Sequence, residues 1–238
     1  MKKKRRENKD KSPIIPQRNK IKELLNIQER ELNDKQKQFL ELALDNSSKI
    51  IFISGPAGTA KTYMSVYASL MLINQRKLSD IIYVRSAVES SDSKLGFLPG
   101  QSDEKMAPYI QPLIDKLNEL LPKSEINNLI KEERISSIPI GFLRGLNFNA
   151  KSIILDEAQN CTYKELITFI TRIGEFSKVF ILGDCNQSDI NGKSGLLKMI
   201  TNLDDDESKE NGIYVFRLTE DDIVRSKLVK FLVKKLKC

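Results

Sequence analysis

The stretch Gly55-Pro56-Ala57-Gly58-Thr59-Ala60-Lys61-Thr62 holds the residues best equipped for chemistry. Small residues at this spacing let backbone N–H groups close around phosphate oxygens, and a lysine followed by a hydroxyl residue adds a cation and a metal ligand. Lys61 is placed to reach the β and γ phosphates of a nucleotide, and the Thr62 hydroxyl to coordinate Mg²⁺. Ala60 stands where the pattern G-x-x-x-x-G-K, followed by Ser or Thr, has its second glycine. Its methyl group restricts the backbone where the loop is tight, while its N–H donor survives, so the expectation is weakened binding.

Two further sets complete this chemistry. Asp156 and Glu157 close the apolar run Ile153-Ile154-Leu155. Neighbours on a strand project to opposite sides, so the two carboxylates can take different tasks. Asp156 is expected to hold the water shell of Mg²⁺, and Glu157 to polarise the water that attacks the γ phosphate. Gly183-Asp184-Cys185-Asn186-Gln187 ends another apolar run, and Gln187 offers an amide to sense that phosphate. One Lys, one Thr, two carboxylates and one amide on a common rim serve nucleoside triphosphate hydrolysis.

Elements must position these groups. Five short apolar segments rich in branched residues read as buried strands: 50–54, 81–85, 152–156, 179–183 and 213–218. Continuous apolar runs, without alternation, indicate a sheet covered on both faces. Helical stretches separate them at Lys61–Leu72, Lys105–Leu121, Tyr163–Ile173 and Ser226–Lys237. The fold class predicted is therefore α/β: a doubly wound, mainly parallel sheet with helices on both faces, which with the phosphate loop after its first strand resembles the RecA-like P-loop NTPases. The phosphate loop then falls between a strand and a helix, as its motif requires, and ligands bind beyond the carboxyl ends of such strands. Residues 103–147 read as helical with a short strand near 138–143, and 204–210 as an acidic loop.

Composition excludes much. With no His there is no histidine metal ligand and no Ser-His-Asp or Cys-His nucleophile. No apolar run approaches the roughly 18 residues of a membrane span, so no membrane partner is expected. Three Cys without paired spacing read as reduced thiols of a cytoplasmic protein, Cys161 and Cys185 being small apolar packers. Residues 1–20 hold nine basic and two acidic groups, a surplus of seven that equals the whole chain's net charge of +7. They read as a disordered basic arm suited to a polyanion or to solubility, ahead of a single domain over 21–238. Arg85 and Arg144 read as either surface salt-bridge residues or contacts to nucleic-acid phosphates.

In order along the chain, GPAGTAKT, LGFLPG (95–100), MAPYIQPLIDKL (106–117), ILDEAQN (154–160), LGDCNQSDI (182–190), SGL (194–196) and LTEDDIVRSKLV (218–229) resemble the blocks of the PhoH-like P-loop ATPases, which are similar to the core of superfamily 1 helicases. The resemblance runs from about Leu32 to the C-terminus, departing at Ala60 and at Cys185, where the family more usually has Pro. It implies ATP and Mg²⁺ as cofactors, ATP hydrolysis coupled to RNA or single-stranded nucleic acid with a helicase-type activity, and a homo-oligomer that tends to form rings, a hexamer among them. By position, Gln36 resembles the glutamine that reads adenine, and Arg225 the arginine that follows the last strand. Arg225, or Arg172, is a candidate finger completing the site of an adjacent subunit; Arg225 equally reads as the first residue of a basic helix. Two other readings stand beside the ATPase: a nucleotide-binding regulatory module with little or no turnover, and a phosphotransferase.

Overall fold

The computed structural model describes residues 24–86, 102–190 and 192–226, together with Leu228, Lys230, Phe231 and Lys235. The basic arm and the LGFLPG segment lie outside the described residues, as does most of the helix expected over Ser226–Lys237.

In chain order the elements are α1 (Asp34–Leu44), β1 (Ile50–Ser54), α2 (Lys61–Asn74), β2 (Asp80–Arg85), α3 (Ser102–Leu120), α4 (Lys123–Lys131), β3 (Ile135–Pro139), β4 (Lys151–Asp156), α5 (Tyr163–Ile170), β5 (Lys178–Gly183), α6 (Leu196–Leu203), α7 (Asp206–Glu210) and β6 (Ile213–Arg217). The strands form one sheet in the order β3-β2-β4-β5-β1-β6, every neighbouring pair parallel. The five apolar runs are five of these strands. The sixth, expected near 138–143, lies three residues earlier and ends at Pro139, followed by a 3₁₀ turn over Ile140–Phe142. Ser136 and Ser137 hide it from an apolar-run reading: β3 is an edge strand, paired with β2 alone, and its middle is only half-buried. The acidic stretch 204–210 is also more ordered than a loop, because the Asp205 carboxylate accepts from Ser208 N at 2.7 Å and caps α7. Helix α5 stops at Ile170, short of the expected Ile173, which instead bridges to Phe148 ahead of β4.

Strand side chains alternate between two apolar layers. Ile51, Ile53, Ile81, Tyr83, Ile154, Phe180 and Leu182 pack with α1 to α4 on one face. Ile50, Phe52, Ile82, Val84, Ile153, Leu155, Val179 and Ile181 pack with α5 and α6 on the other. Both layers are apolar, which is why the sequence shows runs in place of alternation. Truncating a fully buried ring such as Phe52 to Ala costs about 3–5 kcal/mol, so the sheet is a stiff platform. Helix α2 lies in the middle of its layer, and the buried Ser69 hydroxyl joins Ser152 of β4 at 2.6 Å. The chain runs from β1 outward to β2 and β3, then returns through β4 and β5, placing β5 between β1 and β4. The loops at the carboxyl ends of β1, β4 and β5 therefore meet around one crevice.

Candidate functional site

Between β1 and α2 the backbone curls through two left-handed residues, Gly58 at φ +84° and Ala60 at φ +64°, ψ 25°. Gly58 is suited to this, whereas an L-residue in the left-handed region costs roughly 1–2 kcal/mol, a penalty that Ala60 carries. Ala60 is the N-cap of α2 and no side chain caps that end, which leaves the first N–H groups of the helix for an anion. Thr59 ties the loop together from its hydroxyl to Pro56 O at 2.9 Å. Lys61 Nζ donates to Gly55 O at 2.6 Å and Pro56 O at 2.9 Å. Burial lowers the Lys61 pKa, and the carboxylates of Asp184, Asp156 and Glu157 pull it back up.

Asp156 is held from three sides. Its Oδ2 accepts from the Thr62 hydroxyl at 3.0 Å and from the Tyr83 hydroxyl at 2.5 Å, while Oδ1 accepts from Glu157 N at 3.0 Å. Tyr83 reaches it because β2 and β4 pair Tyr83 with Ile154 and Arg85 with Asp156, so Tyr83 and Asp156 share the face covered by α2. Burial above all, then the Asp156 charge, pushes the Tyr83 pKa far up, so this hydroxyl stays a donor. Sequence reading missed Tyr83; its one signal was a hydroxyl within an apolar strand.

Glu157 leaves the strand in the left-handed region, φ +55° and ψ 41°, and lines the cleft. The buried Gln159 amide links two of the expected site loops: its Nε2 donates to Glu157 Oε2 at 2.5 Å and its Oε1 accepts from Asp184 N at 3.2 Å. Gly183 makes room for it, since a Cβ there would lie 2.9 Å from Gln159 Oε1. Gln187 lines the same cleft from the β5 loop, and Arg85 sits 4.0 Å from Glu157.

The cleft, about 600 Å³, gathers Ala57, Gly58, Thr59, Ala60, Lys61, Thr62, Asp156, Glu157, Gln187, Gln36 and Arg225. Gly55 and Pro56 contribute the carbonyls that hold Lys61. Arg225 reaches its own chain's loop: Val224 N donates to Gly58 O at 3.0 Å, and a Cβ on Gly58 would meet Arg225 Cγ at 3.0 Å. Arg225 thus lines the cleft of its own chain. Arg172 lies elsewhere, its carbonyl bonded to Phe148 N just before β4, at the amino edge of the sheet. Arg144 is exposed beyond β3. Gln36 Oε1 accepts from Asn33 N at 3.1 Å in the capping box that starts α1, which leaves its Nε2 donor for the cleft. Sequence reading also missed Arg30, Tyr63, Lys116 and Glu119, which line the cleft from the segment before α1, from α2 and from α3. Lys116 falls within the 106–117 block, but Arg30, Tyr63 and Glu119 belong to none of the quoted motifs. Cys161 is fully buried and its thiol is pushed up to about 12, chiefly by burial, in keeping with a packing role; Cys185 Sγ lies 3.5 Å from Ser54 Oγ.

Comparison with known proteins adds lineage to this geometry. A solved large terminase from a thermophilic bacteriophage superposes with a TM-score of 0.53 at 12% identity, covering 87% of this chain and 50% of that one. The likeness is one of fold. A PhoH-like protein of Mycobacterium tuberculosis is 38% identical over 200 residues, 83% of this chain and 55% of that protein. One of Bacillus subtilis is 37% identical over 190 residues, 78% of this chain and 57% of that protein. The chain spans a little over half the length of these two relatives. The family model described as PhoH-like protein matches residues 28–237, from the segment before α1 to the end of the chain, and the chain belongs to the PhoH-like protein family.

Proposed function

We propose that this chain binds ATP with Mg²⁺ in the cleft and hydrolyses it, using the cycle to remodel RNA or single-stranded nucleic acid. The observation that carries the reading is the convergence, beside one uncapped helix N-terminus, of a half-buried lysine, a hydroxyl–carboxylate pair and a second carboxylate tied by an amide to the neighbouring loop.

The polyphosphate is held by the N–H groups of the loop and of α2, with Lys61 exchanging its two carbonyl partners for β and γ phosphate oxygens. Thr62 and Asp156 fit Mg²⁺, which takes one or two protein oxygens and leaves its other positions to phosphates and water. Among the described residues no group of three or more acidic, Cys or His side chains forms a metal site of its own. The ion supplies charge neutralisation on the phosphate oxygens when bound. Tyr83 keeps the Asp156 carboxylate turned toward Thr62. Glu157 accepts a proton from water as the water oxygen forms its bond to the γ phosphorus; the bond to the bridging oxygen breaks, giving ADP and inorganic phosphate. Arg225 and Gln187 line the same cleft, and their proposed role is to stabilise the charge that develops on the transferring group. Gln159 couples the state of Glu157 to the loop that carries Gln187.

The nucleic-acid partner draws on the basic arm, whose charge matches a polyanion. In a homo-oligomeric ring a neighbouring subunit completes the nucleotide environment, with Arg225 or another basic residue as the candidate finger. No described helix is long and apolar enough to cross a membrane; a cytoplasmic setting is part of the proposal. The second reading, a binding module with little turnover, draws on the strained Ala60 and on the hold of Gln159 over Glu157.

Mg²⁺-dependent phosphate release from ATP, with and without single-stranded RNA, tests this. Turnover stimulated by RNA and abolished in Glu157→Gln, with nucleotide binding intact, is the expected result. Binding without turnover in the unaltered chain removes the ATPase and leaves the binding module. Light scattering with ATP tests the ring, which a fully active monomer removes.

A further inference from the structure

The α3 side of the cleft has a chemistry unlike that of the phosphate loop. Glu119, in the last turn of α3, carries one cation on each oxygen: Lys116 Nζ at 2.5 Å from Oε1 and Arg30 Nη1 at 3.4 Å from Oε2. The segment before α1 is stitched to this helix end, with Gln28 N donating to Leu120 O at 2.8 Å. Arg30 also lies over the Tyr63 ring, 5.7 Å from its centre, and that ring stacks on Tyr67 at 6.2 Å and 16°. Tyr63 follows Thr62 directly on α2, is 9% exposed, and its hydroxyl is buried with no hydrogen-bond partner among the described residues. A buried, unpaired hydroxyl at a cleft wall asks for a partner.

Unlike Asp156 and Glu157, Glu119 comes from α3 and not from the loops at the strand ends, and its acceptor oxygens suit the part of the ligand that donates hydrogen bonds. Its oxygens keep lone pairs after binding two cations. Carboxylate acceptor, free hydroxyl and a planar guanidinium pinned between ring and carboxylate together complement a hydroxyl-bearing sugar with a flat base on it. We propose that Glu119, Arg30 and Tyr63 form a nucleoside subsite that selects ribonucleotides over 2′-deoxyribonucleotides, Glu119 accepting from the 2′-hydroxyl, the Tyr63 hydroxyl pairing with the sugar and Arg30 covering the base. This rests on the reading of the cleft as a nucleotide site. The discrimination follows from a polar group left unpaired by the deoxy analogue, which sets it at about tenfold for one charge-assisted hydrogen bond.

The test is calorimetric titration of the full chain with ADP, 2′-deoxyADP and inorganic tripolyphosphate, each with Mg²⁺. ADP is expected to bind about tenfold more tightly than 2′-deoxyADP. Glu119→Gln, which keeps an acceptor but loses the charge, is expected to reduce that ratio severalfold and to leave tripolyphosphate binding unchanged, whereas Lys61→Ala loses tripolyphosphate. Tyr63→Phe, which deletes only the hydroxyl, is expected to weaken ADP a few-fold without touching tripolyphosphate, and stands in where Glu119→Gln does not fold. Equal binding of ADP and 2′-deoxyADP by the unaltered chain overturns the subsite alone. So does a ratio that survives Glu119→Gln undiminished, or Tyr63→Phe weakening tripolyphosphate as much as ADP. Failure of all three ligands to bind overturns the nucleotide reading, and the subsite falls with it.

Discussion

Two lysines donate to backbone carbonyls at opposite edges of the same sheet. Lys61, at the carboxyl edge, donates to Gly55 O and Pro56 O and lines an open cleft shared with Asp156, Glu157 and Asp184. Lys178, at the amino edge where β5 begins, donates to Asp45 O at 2.7 Å, Ser48 Oγ at 2.6 Å and Ser48 O, and so pins the turn between α1 and β1. Burial lowers both pKa values. The partners differ: Lys178 is closed in by acceptors of its own fold, while Lys61 faces a space ringed by carboxylates with uncapped N–H donors beside it. Side-chain type, carbonyl partners and the direction of the pKa shift are thus the same for a structural lysine that is buried and a candidate catalytic lysine that is half-buried, and what separates their roles is whether the acceptors can be exchanged for those of a ligand.

Exchange of one lysine at a time breaks the comparison most strongly. Lys61→Ala is expected to lower phosphate release on the order of 10³-fold, as loss of a phosphate-stabilising cation does, with the unfolding midpoint little moved. Lys178→Ala is expected to do the reverse, costing about 2–3 kcal/mol of stability by leaving buried carbonyls without donors, with kcat retained in the folded fraction. Denaturant unfolding beside the ATPase assay reads both. If Lys178→Ala silences turnover without loss of stability, the division between the two edges fails.

A pH series sharpens the same contrast. The Lys178 pKa is lowered from 10.5 to about 8, first by burial. The folded chain therefore holds this proton less firmly than the unfolded one, and between about pH 8 and 10.5 the unfolded state binds more protons. Stability then rises with pH across that window, by at most about 1.4 kcal/mol per pH unit, while below pH 8 the full cost of burying the charge is present. The difference in unfolding free energy between the unaltered chain and Lys178→Met isolates this slope from other titrating groups; a flat difference between pH 8 and 10.5 means that Lys178 is not buried as described.

At the carboxyl edge the next effect in size is that of Tyr83. Tyr83→Phe removes the 2.5 Å hydrogen bond to Asp156 and keeps the ring in its apolar layer. A bond to a charged acceptor is worth about 1.5–3 kcal/mol, part of which Thr62 and Glu157 N recover, so the Mg²⁺ concentration for half-maximal phosphate release is expected to rise about fivefold. An unchanged Mg²⁺ dependence with lowered stability would make Tyr83 a packing residue only.

How much of this was legible beforehand follows from the range of each interaction. The strands showed as apolar runs because both sheet faces are covered, and Lys61, Thr62, Asp156 and Glu157 showed because local spacing fixes their place at strand ends. Edge strand β3 was displaced by its serines. Tyr83, Gln159 and the Arg30–Glu119–Tyr63 group reach the site only through pairing of β2 with β4, through the left-handed turn at Glu157 and through the packing of α3, none of which leaves a local spacing to read. Arg225 was found by position, yet its contact with Gly58 of its own chain depends on how β6 lies against β1.

Ala60 gives the smallest effect and the finest test of the loop. Its left-handed backbone, φ +64°, costs roughly 1–2 kcal/mol for an L-residue, and a glycine there removes that cost. Glycine also frees the unfolded chain, which takes back about 0.4–1 kcal/mol. The balance leaves Ala60→Gly more stable by about 0.5 kcal/mol, a rise of roughly 1–2 °C in Tm for a chain of this size. Glycine accepts the same left-handed backbone and keeps the N–H donor, so nucleotide affinity is expected to change less than twofold. A fall in Tm would show that the methyl group packs usefully against the core beside Ala60 and outweighs the strain. A large gain in affinity would show instead that the loop must bend further than its present path to grip phosphate, and that Ala60 holds it back.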